Sequence, residues 1–191
     1  MFDNTVFYTC IFLLFAFAVI TIFLSRRIIH LRKLSETDQM TSLMNYRGLC
    51  RNIEKLLKHN VSFTLVIIDI DNFRVFNKHS YKLGDDVIKE FSVLLSKSFD
   101  NTLISRFRIG DEFILVFPNT GSEKAETKIE EFKEKCRKHT YNSLHNFSTK
   151  CLTFTEGIVE TSAHLNTIEK LFSEAENSLR INKSKNGNPI N

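Results

Sequence analysis

The sequence lacks paired cysteines, an extended basic region and a second long apolar segment. Its four cysteines, Cys10, Cys50, Cys136 and Cys151, lie far apart, which argues against a disulfide framework or a zinc site and fits a reducing cytosol. The net charge of +4 owes much to basic residues just after residue 24, so it does not indicate nucleic acid binding. Hydrophobic residues make up 42% of the chain, which is enough to form a core.

Residues 5–24 form an apolar segment that contains no charge, proline or glycine. About 20 such residues in a helix span the hydrocarbon core of a bilayer. An acidic start precedes the segment, whereas Arg26, Arg27, Arg32 and Lys33 follow it, so the positive-inside bias places the C-terminal side in the cytoplasm. A cleaved signal peptide is the alternative, but the run is too long and lacks a basic N-terminal region and a small-residue cleavage site.

The sequence therefore predicts a transmembrane anchor over residues 1–25, a helical stalk over 26–37 and one cytoplasmic domain over 38–191. Apolar spacing in the domain predicts four helices, over 45–59, 84–98, 122–139 and 167–183, and strands over 62–70, 102–108 and 111–117, with one or two more within 147–160. Because helices and strands interleave and two strands form a hairpin, we expect an α+β or α/β domain. Its central mixed or antiparallel sheet would be flanked by helices.

Acidic residues follow two of the predicted strand ends. Asp69 and Asp71 close the buried first strand, where alternation puts them on one face. Asp111 and Glu112 lie at the tip of the hairpin, so both clusters can meet above one sheet edge. Such carboxylates suit Mg²⁺, and two such ions can activate a hydroxyl and stabilise charge on a phosphoryl group. Alternatively, Asp69 or Asp71 caps a helix that starts near Asn72, and Asp111 is an ordinary turn residue.

Asn77 and Asp85 flank a short segment that follows the first strand. A carboxylate accepts hydrogen bonds from the N1–H and the 2-amino group of guanine, which adenine does not offer in that geometry. An amide donates to and accepts from the same base edge. The alternative is that Gly84 and Asp85 simply open the next helix as a turn and N-cap.

Five segments stand in order along the domain: DQMTSLMNYRGL (38–49), DIDNFRVFN (69–77), LGDDVIKEFS (83–92), RIGDEF (108–113) and AENSLRINK (175–183). Together they resemble the GGDEF domain, the catalytic domain of diguanylate cyclases, whose hairpin motif is Arg-x-Gly-Gly-Asp-Glu-Phe. The resemblance runs from residue 38 to about residue 188. It implies a palm-like fold.

The resemblance also implies a role for individual residues. Asp69 and Asp111, with the backbone carbonyl of Ile70, would bind Mg²⁺ or Mn²⁺. Asp111 and Glu112 would be the catalytic acids, with Glu112 a ligand or a proton acceptor. The substrate-binding residues would be Phe73, Arg74, Asn77, Asp85, Gly110 and Lys183. Among these, Asn77 and Asp85 would bind guanine, while Arg74 and Lys183 would neutralise the triphosphate.

By this resemblance, the protein would condense two GTP molecules into cyclic di-GMP and two pyrophosphates. Each 3′-hydroxyl would attack the α-phosphate of the other nucleotide. Because each domain would hold one GTP, catalysis would require a homodimer, and the single N-terminal helix would keep two domains at high effective concentration. The expected location is the bacterial inner membrane, in a single pass with the domain in the cytoplasm.

The sequence departs from the family motifs around the expected substrate. Gly110 is the only glycine before the acids, so either Ile109 replaces the first glycine or one residue is deleted and Arg108 keeps the place of the motif arginine; we favour the deletion. The segment between Asn77 and Gly84 is about one residue short and lacks the Gly-His pair of the family. Glu156 also stands at a position that is usually apolar.

These departures leave other functions open. The inhibitory product site, Arg-x-x-Asp, is missing, and its nearest counterpart is the segment 97–100, which begins with lysine. A degenerate domain that binds GTP or a partner protein without catalysis is the main alternative. The single glycine of the hairpin is also similar to class III nucleotide cyclases, so a related cyclase or polymerase that acts on another nucleotide is a further one.

Overall fold

The computed structural model describes residues 4–107, 110–147 and 150–186. The chain divides into two compact units, Met1–Glu36 and Thr37–Asn191. The first contains a single long helix, α1 (Asn4–Ser35), which joins the predicted anchor and stalk. Within α1, Phe7–Ile29 has a mean hydropathy of 2.6 and is long and apolar enough to cross a membrane.

A four-stranded sheet forms the centre of the second unit. Its strands are β1 (Phe63–Ile70), β2 (Leu103–Phe107), β3 (Glu112–Pro118) and β4 (Phe154–Glu160), in the order β2-β3-β1-β4. All three ladders are antiparallel. The helices are α2 (Tyr46–Lys58), α3 (Arg74–His79), α4 (Tyr81–Ser96), α5 (Ser122–Lys138) and α6 (Ile168–Lys185), and a 3₁₀ turn covers Asn142–Leu144. The predicted α+β class, with a helix-flanked sheet, is confirmed.

Helices cover both faces of the sheet, which explains the continuous apolar run of β1. Ile68 and Phe113 project into the core formed with α4 and α5, whereas Ile67 and Ile114 project into the core formed with α2 and α6. All eight residues of β1 are buried. A strand between two helical layers has no solvent face, so it shows no polar alternation.

The helices differ from the prediction at two places, whereas the number of strands within 147–160 agrees with it. Helix α4 begins at Tyr81 rather than at residue 84, because the Ser80 side chain accepts a hydrogen bond from the Leu83 N–H and caps the helix there. Helix α3 was not predicted; it has only six residues and no side-chain cap. The segment 147–160 contributes one described strand, β4.

Helix α6 packs closely on strand β4 at Gly157. A Cβ atom at this position would lie 2.1 Å from the carbonyl oxygen of Ala175. On either side of the contact, the Ser178 hydroxyl accepts from the Ile158 N–H at 3.3 Å, and the Asn182 amide donates to the Glu156 carbonyl at 2.9 Å. Glycine is therefore required here by close backbone approach.

The charge of Glu156, at a position expected to be apolar, has a partner on the opposite face of β4. Its carboxylate lies 2.8 Å from the Lys133 ammonium on α5. The side chains are 13% and 20% exposed, respectively. The pair joins α5 to the sheet and accounts for an acid inside a strand.

The outer strand β2 is covered by the chain segment that precedes α2. The Met44 N–H donates to the Ile104 carbonyl at 3.2 Å, and the Arg106 N–H donates to the Met44 carbonyl at 3.0 Å. Met44 thus forms a short parallel bridge alongside β2.

Candidate active site

Strand register places two acids opposite each other at one end of the sheet. Asp69 on β1 pairs with Glu112 on β3 and with Thr155 on β4. Directly paired residues of antiparallel strands project to the same face, so these side chains share the face that α6 covers. Asp111 precedes β3, and its carbonyl oxygen accepts from the Ile70 N–H at 3.4 Å. The two acidic clusters of the sequence therefore lie at one end of the sheet.

A lysine from α6 reaches into this group of acids. The Lys183 ammonium lies 2.8 Å from Oδ2 of Asp69, and the two side chains are only 8% and 6% exposed. Lys183 is on the face of α6 that packs against the sheet, together with Leu179. The structure thus joins two residues that lie far apart in the sequence into a buried ion pair.

The surroundings of Asp69 and Asp111 make their charged forms less favourable than in water, so both pKa values are raised. Burial raises the pKa of Asp69, the hydrogen bond from Lys183 lowers it, and the nearby charge of Asp111 raises it further, leaving it above the ordinary value. Burial likewise raises the pKa of Asp111, although Lys183 and the more distant Arg106 and Arg74 oppose the shift. Two carboxylates in a poorly solvated place repel each other, and a cation between them would relieve that repulsion.

Asp71 has a different environment from Asp69. Strand β1 ends at Ile70, so the alternation that was expected to orient Asp71 does not reach it. Its carboxylate accepts from the Thr155 hydroxyl at 2.7 Å, and its N–H donates to the Thr153 carbonyl. Helix α3 begins at Arg74, and the side chain of its N-cap residue Phe73 makes no capping hydrogen bond. The alternative that Asp69 or Asp71 caps this helix stays a prediction.

The donors predicted for a divalent ion are the carboxylates of Asp69 and Asp111 and the carbonyl of Ile70. Hard cations prefer such oxygen ligands, and the mutual repulsion of the two carboxylates suits a positive ion. Within the described parts of the chain, no group of three or more His, Cys, Asp or Glu side chains is placed to hold a metal. The donor set consequently fits an ion that completes its coordination with other oxygens, such as those of phosphate or water.

Gly84 brings the two expected guanine-binding residues together. A Cβ atom at Gly84 would lie 2.0 Å from Oδ1 of Asn77 and 3.2 Å from the ring of Phe73. The amide of Asn77 therefore lies directly against α4 at Gly84, the residue before Asp85. Gly84 and Asp85 lie inside α4, so the alternative in which they open and cap that helix is wrong. Phe73 is buried behind them at 7% exposure.

The remaining predicted residues surround the acids. Arg74 is exposed on α3, close enough for its charge to lower the pKa of Asp111. Gly110 lies in the hairpin turn and is partly buried. Arg108 and Ile109, which carry the departure from the family motif, lie outside the described residues.

Arg106 is a site residue that sequence reasoning missed. Its side chain is buried, Nε donates to the Gly110 carbonyl at 3.0 Å, and the guanidinium lies 3.6 Å from Asp38 and contacts Met40 Sδ at 3.2 Å. Asp38 in turn accepts from the N–H and hydroxyl of Thr41. The sequence signal that could have identified it is an arginine inside a mostly apolar strand. Its partner Asp38, however, lies in a distant segment of the sequence.

The position of Arg106 bears on the expected deletion in the hairpin. Phe107 pairs with Glu112, so the described ends of β2 and β3 meet at this pair. Arg106 stands five residues before Asp111, whereas the arginine of the family motif stands four before its aspartate. With Arg106 in the place of that arginine, the hairpin is one residue longer than the motif. The deletion favoured from the sequence, with Arg108 in that place, stays a prediction because Arg108 and Ile109 lie outside the described residues.

Comparison with known proteins assigns a family to this architecture. The family described as "Diguanylate cyclase, GGDEF domain" matches residues 35–189. The diguanylate cyclase DgcS of Shewanella oneidensis is 29% identical over 157 residues, covering 79% of this chain and 50% of that protein. An uncharacterized membrane protein of Staphylococcus aureus is 26% identical over 163 residues, covering 80% of this chain and 44% of that protein. The chain thus spans half or less of the length of these two relatives.

A solved structure shows the same fold. The coiled coil and GGDEF domain of DgcB from Caulobacter crescentus, in complex with c-di-GMP, superposes with a TM-score of 0.72. The two chains are 22% identical, and the match covers 91% of this chain and 93% of that one.

Proposed function

Because this chain belongs to the GGDEF domain family, we propose that it is a diguanylate cyclase, condensing two GTP molecules into cyclic di-GMP and pyrophosphate. The observation that carries the proposal is the proximity of buried Asp69 to partly buried Asp111, whose charge raises the pKa of Asp69. Carboxylates whose pKa values are raised by burial and by a neighbouring charge cluster at catalytic sites. DgcS, a named diguanylate cyclase, is among the relatives of the chain.

The acidic residues would have two roles in the reaction, metal binding and proton transfer. Asp69, Asp111 and the Ile70 carbonyl would hold Mg²⁺ or Mn²⁺, which when bound supplies positive charge to the reacting phosphate. Glu112, opposite Asp69, would accept the proton of the attacking hydroxyl or complete the acidic site.

Other side chains would bind the nucleotide. Asn77, with its amide against Gly84, would bind the Watson–Crick edge of guanine together with Asp85. Phe73 would support Asn77 from below. The positive charges of Arg74 and Lys183 would neutralise the triphosphate, and Gly110 would leave room for a phosphate to approach the turn.

A homodimer would bring two such sites face to face. Each domain has one set of predicted nucleotide-binding residues, whereas the product contains two guanosines. Joining two domains by their N-terminal helices would raise their effective concentration without any further contact. Dimerisation is therefore part of the proposal.

Helix α1 would anchor this dimer in the bacterial cytoplasmic membrane. The segment Phe7–Ile29 has the length and hydropathy of a membrane span, and one relative is described as a membrane protein. The basic residues Arg26 and Arg27 at its C-terminal end would then place the domain in the cytoplasm.

A second candidate is a domain that binds GTP or a partner protein without catalysis. The observation that favours it is the ion pair between Lys183 and Asp69, in which a metal-binding oxygen is already engaged. Residue 109 is an isoleucine where the family motif has a glycine, which also favours a domain without catalytic activity. A related enzyme that acts on another nucleotide is the remaining possibility that the altered hairpin suggests.

Product analysis tests the proposal. The full chain in detergent is incubated with GTP, with ATP and with both, in Mg²⁺ and then in Mn²⁺, and the products are identified by mass spectrometry. We expect cyclic di-GMP from GTP alone, lost in Asp111→Asn and retained in Asp100→Asn, a matched change at an exposed loop residue. No cyclic product from a folded, dimeric chain would reject the cyclase, and nucleotide binding without turnover would then support the second candidate. An adenine-containing product would instead indicate the related enzyme.

A further inference from the structure

The ion pair between Lys183 and Asp69 has a consequence for metal binding. We propose that Lys183 occupies the place of the divalent ion in the nucleotide-free protein, so that metal and nucleotide bind together rather than in succession. The inference rests on the proposed function, because it assumes that Asp69 is a metal ligand.

The geometry makes Lys183 an internal counter-ion. Its ammonium lies 2.8 Å from Oδ2 of Asp69, a distance typical of a charge-assisted hydrogen bond. Both side chains are more than nine-tenths buried, so water screens the pair little. The charge of Lys183 also acts on Asp111. One lysine thus partly neutralises both carboxylates that would bind the metal.

A metal and this ammonium compete for the same carboxylates. An ammonium group has three donors and no acceptor, so it cannot become a ligand of the ion. Two cations on one buried carboxylate repel each other strongly, because the surroundings are poorly polarisable. A divalent ion that arrives without nucleotide must therefore displace Lys183 from its ion pair with Asp69.

Nucleotide phosphates provide that partner. Lys183 lies in the last turn of α6, and its charge sits on a flexible four-carbon stem that can turn from a carboxylate to a phosphate. When the phosphates take the ammonium, Asp69 becomes available to the ion. The phosphates also supply oxygens that complete its coordination. Metal and nucleotide would then raise each other's affinity, by a factor that for coupled sites is typically about 5- to 150-fold.

Binding of Mn²⁺ without nucleotide tests this arrangement. The full chain in detergent is titrated with Mn²⁺, and free ion is followed by electron paramagnetic resonance. We expect weak binding to the unaltered chain and binding at least roughly tenfold tighter in Lys183→Met. Lys185→Met, a matched change at an exposed position two residues further along α6, should leave the affinity unchanged.

Two further variants secure the interpretation. Asp69→Asn combined with Lys183→Met should lose the gain, because the gain depends on the freed carboxylate. Lys183→Gln, which keeps a hydrogen-bond donor without a charge, replaces Lys183→Met if the latter does not give the circular dichroism spectrum of a folded chain. A folded variant without the lysine charge that binds Mn²⁺ no better than the unaltered chain would overturn the inference.

The outcome is separable from that of product analysis. Tighter Mn²⁺ binding in Lys183→Met by a chain that makes no cyclic di-GMP would support the counter-ion role and reject the cyclase. Cyclic di-GMP production with equal Mn²⁺ affinities would support the cyclase and reject the counter-ion role.

Discussion

The guanidinium of Arg106 donates a hydrogen bond to the carbonyl of Gly110, at 3.0 Å, and so fixes the turn that carries Asp111. The same guanidinium lies 3.6 Å from Asp38. The planar guanidinium has several N–H donors and contacts the Gly110 carbonyl and Asp38 at the same time. A lysine at this position has a single ammonium group and cannot make both contacts in this geometry. Arg106 is a positioning residue, since it acts on the acids through the turn.

We expect Arg106→Lys to lower the free energy of unfolding by about 1–3 kcal/mol, because buried acceptors lose their donor. It should also reduce cyclic di-GMP formation through a lower kcat with little change in KM. Urea denaturation followed by circular dichroism and steady-state kinetics measure these effects. Arg180→Lys, on the exposed side of α6, is the matched control. An unchanged kcat in a destabilised Arg106→Lys variant would restrict Arg106 to a purely structural role.

Gly84→Ala tests the placement of Asn77, one of the two residues proposed to bind guanine. The added Cβ would lie 2.0 Å from Oδ1 of Asn77, so the amide must leave its position against Gly84. We expect affinity for a non-hydrolysable GTP analogue to fall by about tenfold or more, as when a hydrogen-bonded base edge loses a partner. Stability should change little, since alanine favours the helix. Isothermal titration calorimetry measures the affinity.

Gly121→Ala is the control for Gly84→Ala. Its Cβ would meet the Glu160 carboxylate at 3.5 Å, an ordinary contact. Binding of the analogue should therefore match that of the unaltered chain. Equal binding by Gly84→Ala would show that Asn77 does not contribute to recognition from its present position.

Gly157→Ala addresses the joint between α6 and the sheet. The added methyl would lie 2.1 Å from the Ala175 carbonyl oxygen and 2.5 Å from the Leu179 nitrogen. Both are backbone atoms, which cannot move away by a change of rotamer as the end of a side chain can. We expect a loss of about 1–3 kcal/mol in unfolding free energy, the usual range for overpacking. A urea midpoint equal to that of Gly121→Ala would contradict the close packing.

The raised pKa of Asp111 predicts how stability depends on pH. In the folded chain this carboxyl binds its proton more tightly than in the unfolded chain, so its contribution to stability falls as pH rises from its ordinary pKa of 3.8 through the raised value. Asp111→Asn removes this penalty. With metal chelated, we expect the variant to be the more stable form at pH 7, with an advantage that shrinks towards pH 4.

Denaturation midpoints of the two chains between pH 4 and pH 7 check this prediction. Asp100→Asn should follow the unaltered chain at every pH. An advantage of Asp111→Asn that grows on acidification would mean that the folded chain stabilises the charged carboxylate. The carboxylates of Asp69 and Asp111 would then lack the mutual repulsion that favours the binding of a cation.

Local patterns predicted much of the fold but little of the contacts between distant segments. The continuous apolar run of β1 and the amphipathic spacing of α5 reflect burial, which each element shows in its own residues. No local sequence pattern indicates the pairing of Lys183 with Asp69, because this pairing depends on where α6 lies on the sheet. Arg106 was missed for the same reason. The start of α4 was misplaced because Ser80, a good cap, was not weighed against the glycine that follows.

The hydrogen bonds that Ser178 and Asn182 make to β4, and those of Met44 to β2, limit how two copies of the chain can assemble. A strand with its outward main-chain groups engaged does not add a neighbouring strand, so the sheet is protected from continuing into a second molecule at these positions. Copies would therefore associate through helix and turn surfaces. In the proposed dimer, the end of the sheet that bears Asp69 and Asp111 would then face its counterpart without strand pairing between the two copies.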